Sequence, residues 1–449
     1  MFDFGNANEG QRKAIAAAEG PVLITAGPGT GKTYTLVQRA IYLIEECGVK
    51  PENIFIATFT EKAAKELITR ITNELSNRGI VANINEMYIG TFHSLCLRIL
   101  KEHLEFTRLR RNYRLLDAFD QQYMVFQNIH RFRNIPEVKV VLPNGGAWKQ
   151  SEAICNYVNN LSEELVTPED LMSDADLSIA ALGRMLKEYR DVLTEGNLMD
   201  FSSIQIETYH LLCDHSDILK EMRSKVTHIM VDEYQDTNFI QEQLVFLLAG
   251  DRKNICVVGD DDQGLYRFRG ATIRNILEFP QKFADGECRI IPLVINYRSN
   301  SDIVDFYNKW MATTDGAKFK FRWGNYRFDK KIKSHEQTTL HSPAVVKLAG
   351  VDDTDEWHEK ILRFINDLKA SGKLMDYNQI AFLFNSVKHP RVTALARFLE
   401  KNHINVYSPR SDMFFQRAEI RLAIGWLRLM FPRYVQGLEN GDSRFLQPG

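Results

Sequence analysis

Residues 26–33 read AGPGTGKT, after an apolar run at residues 22–25 and before the sequence YTLV at residues 34–37. A short strand, a glycine-rich turn and a helix start are typical of a loop whose backbone N–H groups converge on phosphate oxygens. The positive end of a helix that begins at Lys32 would face the same phosphates. The motif therefore predicts a nucleotide site in which Lys32 reaches the β- and γ-phosphates and Thr33 binds the accompanying Mg²⁺.

The loop motif alone leaves an alternative. Ala26 occupies the place of the first glycine in the general pattern, so residues 26–33 could also form a glycine-rich surface turn. Residues 226–231, however, form an apolar run that leads directly into Asp232 and Glu233. Two carboxylates at a strand end are the second half of a nucleotide hydrolysis site, in which Asp232 holds the magnesium ion and Glu233 orients and deprotonates the attacking water.

A third apolar run, at residues 255–258, leads to Gln263 and then to the sequence YRFR at residues 266–269. Gln263 follows a predicted strand, where its amide is placed to sense the γ-phosphate. The alternation of aromatic rings and guanidinium groups is the arrangement expected of a stacking platform for single-stranded bases. This segment could therefore join the nucleotide to a nucleic acid.

Two further apolar runs, at residues 54–57 and 87–90, each end in a threonine–aromatic pair at a predicted helix start. Hydroxyls, N–H groups and a ring face could hold a phosphodiester backbone and a stacked base there. Simple helix capping with core packing is the alternative for each segment alone, and Thr60 is a suitable cap. Asn8 is a further predicted cap, and Gln11 beyond it could read an adenine edge or lie on the surface.

Residues 101–197 have a different character, with long polar helices, few strand signals and a predicted loop at residues 142–146. We expect a helical insertion between strands of the first domain. Its basic cluster could line a nucleic-acid track or form a solvated helix face. The cluster consists of Arg108, Arg110, Arg111 and Arg114.

Composition limits the class of protein. The 449 residues exceed one hydrophobic core and predict about three or four domains. The net charge of −2 neither requires nor excludes nucleic acid. The chain has no signal-like start and no apolar run of membrane-spanning length, so we expect a cytoplasmic protein with no membrane partner. The six cysteines are scattered without a C-x-x-C pair, which predicts free thiols and no metal site beyond nucleotide-bound Mg²⁺.

The motifs together resemble, in order and spacing, the UvrD/Rep/PcrA family of superfamily 1 DNA helicases. The likeness rests on AGPGTGKT, TFTEKAAKEL, GTFHS, VDEYQDTN, GDDDQGLYRFRGA and NYRS. It implies an α/β fold with a RecA-like P-loop NTPase domain that carries a helical insertion, and a second, incomplete RecA-like domain. The implied parts are motor domain 1A at residues 1–100 and 198–289, insertion 1B at 101–197, partial domain 2A at 290–431, and the start of subdomain 2B at 432–449.

The resemblance also implies roles for individual residues. Gln11 would read the adenine, Tyr297 would stack on it, and Arg298 would be the first arginine finger. The implied ATP-binding residues are Gln11, Ala26, Gly27, Pro28, Gly29, Thr30, Gly31, Lys32, Thr33, Tyr34, Tyr297 and Arg298. The implied catalytic residues are Lys32, Glu233, Gln263 and Arg298, with Thr33 and Asp232 binding Mg²⁺ through ATP. The implied DNA contacts are Phe59, Thr91, His93, Tyr266, Phe268 and Arg269.

The activity that the resemblance implies is an ATP-dependent 3′-5′ DNA helicase and single-stranded DNA translocase, acting on single-stranded and duplex DNA. Relatives often carry an arginine at the position of Tyr34, so adenine stacking would differ. Motifs V and VI of the family are absent. We therefore expect an amino-terminal portion of a helicase, as a shortened gene product or as half of a split pair completed by a second chain.

Two other functions stay open at this stage. The chain could be a DNA-binding subunit that responds to ATP without unwinding DNA, or a helicase remnant. A phosphate-loop enzyme for small molecules leaves residues 266–269 unexplained and is disfavoured. For the second domain, residues 380–384 (IAFLF) are expected to form a strand, and residues 413–420 belong to the same likeness. The stretch at 318–328 could be a nucleic-acid patch or an edge strand, and the edge strand is favoured.

Overall fold

The computed structural model of the chain describes residues 2–264, 272–312, 327–335, 344–347, 354–387, 389–407 and 418–433. The chain forms two compact units, Met1–Val345 and Val346–Gly449. The domain boundaries expected from sequence stay a prediction. In the described ranges, no helix combines the length and apolar character that a membrane crossing needs.

The first hundred residues alternate helices and strands. The elements are α1 Glu9–Ala16, β1 Val22–Ala26, α2 Lys32–Glu45, β2 Ile54–Thr58, α3 Glu61–Asn77, β3 Tyr88–Thr91 and α4 Phe92–Glu102. Three of the helices start at a side-chain cap. Asn8 and Thr60 cap α1 and α3, as predicted, and Thr91 caps α4.

The next part of the chain is mainly helical, which agrees with the expected insertion. The elements are β4 Arg114–Leu115, α5 Ala118–Gln127, α6 Ile129–Arg133, α7 Val138–Val141, α8 Ala147–Glu163, α9 Pro168–Met172, α10 Leu177–Glu195 and β5 Leu198–Met199. The helices share a separate apolar core that includes Phe132, Ile154, Val158 and Leu186. The short strands β4 and β5 pair in parallel where the chain enters and leaves this region.

The chain then returns to the sheet. The elements are α11 Phe201–Asp214, α12 Ser216–Lys225, β6 His228–Val231, α13 Phe239–Ala249, β7 Ile255–Gly259, α14 Arg274–Glu278, β8 Arg289–Leu293, β9 Ile295–Asn296, α15 Ser301–Ala312 and β10 Lys333–Ser334. Strand β8 spans the boundary expected near residue 290 and pairs with β1. Strands β9 and β10 form a separate parallel pair.

Six parallel strands form the central sheet in the order β3-β2-β6-β7-β1-β8. Consecutive side chains of β1 point to opposite faces. Leu23 packs in a core with α4, α11 and α13, and Ile24 packs in a core with α1, α2 and α3. Both faces are therefore covered, as expected for a parallel sheet. The carboxyl ends of the strands meet at one edge, so the residues that follow β1, β6 and β7 are close together.

The second compact unit contains helices α16 Thr354–Ala370, α17 Pro390–Lys401 and α18 Ala418–Met430. Helices α16 and α17 share a small core that includes Ile365, Leu395 and Leu399. The strand expected at residues 380–384 is not formed, and Leu383 is 92% exposed. The described part of this unit contains no strand, so the backbone of this run has no neighbour with which to form a ladder.

Candidate nucleotide and nucleic-acid site

The glycine-rich loop connects β1 to α2 and is held by its own hydrogen bonds. Gly31 has φ +84°, a left-handed conformation that favours glycine. The Thr30 hydroxyl donates to the Gly27 carbonyl at 2.8 Å, and the Gln11 amide donates to the Thr30 carbonyl at 3.2 Å. The Asn8 backbone N–H in turn donates to Gln11 Oε1 at 3.0 Å. Gln11 is therefore a support of the loop, and its reading of adenine stays a prediction.

The segment after β8 supports the opposite side of the loop. The Asn296 side chain donates to the Pro28 carbonyl at 2.7 Å, and the Tyr297 backbone N–H donates to the Gly29 carbonyl at 2.9 Å. Asn296 Oδ1 also accepts from the Arg298 backbone N–H at 2.8 Å. These bonds bring Tyr297 and Arg298 beside the loop, although they are far from it in sequence.

The Tyr297 ring is partly exposed and lies next to a histidine. Its hydroxyl accepts from Asn8 Nδ2 at 2.9 Å, and its ring centroid is 4.7 Å from that of His335. The Tyr34 hydroxyl, on the first turn of α2, donates to the Phe4 carbonyl at 3.3 Å. Tyr34 is thus tied to the amino-terminal segment, and its role toward a nucleotide stays a prediction.

An ion pair joins the loop to the end of β6. Lys32 Nζ lies 3.3 Å from Glu233 Oε2, and the lysine side chain is only 12% exposed. Glu233 has φ +50° and ψ +49°, a left-handed conformation that is unusual for a residue with a side chain. The Gln235 amide donates to the same Glu233 oxygen at 2.9 Å. The turn after β6 therefore aims the glutamate at the loop.

Two aspartates beside Glu233 have perturbed acidities. Burial, reinforced by Glu233 and opposed by Lys32, raises the pKa of Asp232 to about 7. Burial and Glu233 also raise the pKa of Asp236 to about 7, and Lys32 again opposes the shift. Within the described ranges, Oδ1 of Asp236 is buried and has no hydrogen-bond partner. The end of β6 therefore concentrates negative charge in a poorly solvated place.

The end of β7 lies beside this turn. Gln235 Oε1 accepts from the Asp260 backbone N–H at 2.9 Å, which joins the two strand ends. Gln263, predicted to follow the strand, lies in a short 3₁₀ turn after β7, and its amide donates to Asp260 Oδ2 at 2.6 Å. Hydrogen bonds therefore connect Glu233, through Gln235 and Asp260, to Gln263.

Comparisons with known proteins agree with this arrangement. Two protein-family sequence models match the chain. The family model described as the UvrD/REP helicase N-terminal domain matches residues 7–284, and the one described as the UvrD-like helicase C-terminal domain matches residues 291–435. The chain belongs to the UvrD/REP helicase family.

Curated relatives of this UvrD/REP family chain include two helicases from staphylococci. The ATP-dependent DNA helicase PcrA of Staphylococcus epidermidis is 32% identical over 426 residues, which cover 95% of this chain and 54% of that protein. The PcrA of Staphylococcus aureus is 32% identical over 428 residues, which cover 94% of this chain and 53% of that protein. The chain thus spans about half the length of the curated relatives it matches.

The predicted DNA contacts of this UvrD/REP chain that the structure describes lie at the ends of β2 and β3, which are neighbours in the sheet. Phe59 follows β2. The Thr91 hydroxyl donates to Glu61 Oε1 at 2.9 Å, so Thr91 serves as a cap and as a link to α3. The Gln205 amide nitrogen lies 2.6 Å from His93 Nε2. Burial lowers the pKa of His93 despite Asp200 and Glu61, which favours a neutral ring that accepts this bond.

Other predicted nucleic-acid contacts have different outcomes. Tyr266, Phe268 and Arg269 lie outside the described residues, and so do residues 318–326 and 413–417. In the basic cluster, Arg108 is ion-paired with Glu207, and Arg114 Nη2 lies 2.7 Å from Asp120 Oδ2. Arg114 therefore pairs within the insertion, whereas Arg108 pairs with α11, which follows the insertion.

Sequence reasoning missed several residues that the structure brings to the site. Asn296 lies within the recognised NYRS block and Gln235 within VDEYQDTN, so their motifs signalled a site without indicating these supporting roles. Arg327 and Lys330 also reach the end of β7. Three consecutive aspartates at residues 260–262 signal a need for positive charge, but nothing in the sequence indicates which of the 56 basic residues supplies it.

Proposed function

We propose that this chain is an ATP-dependent DNA helicase that moves 3′ to 5′ along single-stranded DNA. The observation that carries the proposal is the 3.3 Å ion pair between Lys32 of the loop and Glu233 at the end of β6. This ion pair lies at the edge where parallel sheets bind ligands, which supports a role for Lys32 in phosphate binding and for Glu233 as the base. The likeness to proteins named ATP-dependent DNA helicase PcrA supports this class of reaction.

In this proposal, the ion pair changes partners when ATP binds. The triphosphate carries more negative charge than one carboxylate, so Lys32 moves to the β- and γ-phosphates. Glu233 then becomes available to accept a proton from the attacking water, while the Gln235 amide keeps its carboxylate oriented. Gln263 senses the γ-phosphate, and Arg298 stabilises the charge that develops during transfer.

The carboxylates beside β6 fit a divalent cation. Burial and the charge of Glu233 raise the pKa of both Asp232 and Asp236, so added positive charge would stabilise both carboxylates. Thr33 and Asp232 are the residues that would hold Mg²⁺. The ion would neutralise charge on the β- and γ-phosphates.

We propose that DNA crosses the ends of β2 and β3, next to the nucleotide edge. Phe59 offers a ring for stacking, and the neutral His93 offers a flat surface. Tyr266, Phe268 and Arg269 would extend this path as predicted from their sequence. A duplex ahead of the moving chain would be opened by translocation, with DNA and ATP as partners, and a cytoplasmic location fits this role.

The first test is steady-state ATP hydrolysis by the full chain, with and without single-stranded DNA. We expect DNA to stimulate turnover, and we expect Lys32→Ala to abolish it because the phosphates lose their lysine. Lys220→Ala, on an exposed position of α12, is the matched control and should leave turnover unchanged. DNA unwinding is then measured with a duplex that carries a 3′ single-stranded tail.

The outcomes separate two functions. Turnover that DNA stimulates and Lys32→Ala removes would support a motor. An absence of turnover together with ATP-dependent DNA binding would contradict the motor and favour a DNA-binding subunit that uses ATP as a conformational ligand. An absence of ATP binding would contradict both functions.

A further inference from the structure

Three consecutive carboxylates after β7 share one buried ammonium group. Lys330 forms ion pairs with Asp260 and Asp261, and its Nζ lies 3.5 Å from Asp262 Oδ2. All four side chains are fully buried. Burial alone would lower the pKa of Lys330, but the three carboxylates outweigh burial and hold the pKa above its ordinary value. Lys330 is therefore a charged group inside the first compact unit.

Among the described residues, Arg327 adds a second positive charge to the cluster. The guanidinium of Arg327 binds Asp262 through two bonds of 2.8 Å, and the Tyr307 hydroxyl donates to the same carboxylate at 2.5 Å. Asp261 accepts from the Phe328 backbone N–H at 3.0 Å. In the part of the chain that the structure describes, loss of Lys330 would leave Arg327 as the cationic partner of the three buried carboxylates, and buried charges that lose a partner are strongly destabilising.

Lys330 fixes the orientation of the carboxylate that binds Gln263. Oδ1 of Asp260 accepts from Lys330 and, at 3.1 Å, from the Asp262 backbone N–H. Oδ2 of Asp260 is thereby turned toward Gln263, whose amide donates to it at 2.6 Å. A glutamine side chain has several free torsions, so an acceptor held in one orientation selects one of its conformations. Without Lys330, the Asp260 carboxylate would be free to rotate, and this selection would be lost.

The segment that carries Lys330 also contacts the rest of the nucleotide site. A Cβ atom at Gly27 would overlap the Ile332 side chain, so this segment packs directly on the glycine-rich loop. The backbone of Ile332 is fixed by two hydrogen bonds with the Asn308 side chain, of 2.8 and 3.1 Å. At the end of the segment, the ring of His335 lies against Tyr297. Residues 327–335 thus contact the loop, the Gln263 turn and the predicted adenine-stacking residue.

We propose that Lys330 is a positioning residue that holds Asp260 so that Gln263 can distinguish a triphosphate from a diphosphate. The inference rests on the proposed ATP function and adds a residue for which neither the sequence motifs nor the comparisons gave a role. Because Lys330 lies on residues 327–335, movement of Gln263 on γ-phosphate binding is transmitted to that segment through Asp260. The same segment packs on the glycine-rich loop, so the loop and Gln263 respond together when the γ-phosphate binds.

The test measures affinity for ADP and for a non-hydrolysable ATP analogue, using a fluorescent nucleotide as the displaced probe. We expect the full wild-type chain to prefer the triphosphate. Lys330→Met should reduce this preference about tenfold, the effect of losing one charge-assisted hydrogen bond. Gln263→Ala should reduce it similarly. The double variant should lose no more than either single variant, because both changes break one connection.

A matched control separates positioning from general destabilisation. Lys282→Met removes a lysine from another buried carboxylate, Glu242, without contact to residues 260–263, and should keep the wild-type preference. If Lys330→Met fails to fold, Lys330→Met combined with Asp261→Asn removes one positive and one negative charge and keeps the net charge of the cluster. That pair of changes should fold and still lose the preference, because Asp260 lacks its ammonium partner.

The outcomes are distinct. A wild-type chain that prefers the triphosphate, with Lys330 variants that keep the full preference, would overturn the inference alone. Additive losses in the Lys330→Met and Gln263→Ala double variant would also overturn it. A wild-type chain that binds neither nucleotide would overturn the proposed function and the inference with it.

Discussion

Apolar runs occur in both compact units, but they have different outcomes. In the first unit, every residue of β7 is buried, and the strand has parallel neighbours on both sides. In the second unit, the apolar run at residues 380–384 forms no strand, and Leu383 is 92% exposed. An apolar run therefore forms a strand only when a neighbouring strand pairs with its backbone groups and other elements cover its side chains.

The difference extends to the polar residues after each run. Asp232, Glu233 and Gln263 follow paired strands, and hydrogen bonds link them through Gln235 and Asp260. Substitutions in the two units can therefore show whether catalysis and stability depend on the paired strands of the first unit.

The largest expected effect concerns the residue after β6. Glu233→Gln should lower ATP turnover by about 10²–10⁴-fold, because an amide cannot accept the proton of the attacking water. Nucleotide affinity should be retained, since the two side chains have the same shape. Steady-state hydrolysis and a binding titration check both expectations. Glu400→Gln, on an exposed position of α17, is the control from the second unit. Normal turnover in Glu233→Gln would mean that another group is the base.

The next effect compares one leucine from each apolar run. Leu23 in β1 is fully buried, so Leu23→Ala should lower the free energy of unfolding by about 2–5 kcal/mol. Leu383→Ala should change it by less than about 0.5 kcal/mol, because Leu383 already faces solvent. Urea unfolding followed by circular dichroism measures both variants. Equal losses would contradict the contrast between the two runs.

The smallest effect depends on pH and uses Glu163, at the end of α8. Burial raises the pKa of Glu163 to about 7, although a hydrogen bond from Asn238 opposes the shift. Because the pKa of Glu163 is higher in the folded state, its contribution to stability is fully present at pH values below 4.5. This contribution is lost as the pH rises through 7. Glu163→Gln should therefore become more stable than the wild type over this window, by up to about 3 kcal/mol at pH 8.

Asp376, in the second unit, has a pKa shift of the opposite sign. Hydrogen bonds from Asn378 lower the pKa of Asp376, so its contribution is present above the ordinary value of 3.8 and is lost at lower pH. The difference in unfolding midpoint between Asp376→Asn and the wild type should thus stay constant between pH 5 and 8. Thermal unfolding at a series of pH values measures both variants. A flat difference between wild type and Glu163→Gln across the window would mean that Glu163 is solvated.

Much of the first unit could be predicted because its signals are local. The runs before residues 26, 232 and 259 became strands, and the caps Asn8 and Thr60 start α1 and α3. The loop residues and Glu233 meet as predicted, since parallel strands bring their ends to one edge.

What could not be predicted depends on contacts between distant residues. Lys330 is separated from Asp260 by some seventy positions, and no local pattern joins a lysine to a carboxylate at that distance. The hydrogen bonds of Gln11 to the loop were missed for the same reason. The prediction of a strand at residues 380–384 was wrong, because the residues of a segment do not show whether a neighbouring strand is available to pair with it.

The position of β1 between β7 and β8 has a consequence for synthesis on the ribosome. Val22 pairs with Cys256 and with Arg289, so the first strand leaves the exit tunnel long before either neighbour exists. At common elongation rates, the delay is roughly ten to fifty seconds. During that time the apolar residues of β1 are unpaired in the nascent chain and can be bound by chaperones. Codon usage between residues 100 and 250, which sets the length of this delay, should therefore affect the yield of soluble protein.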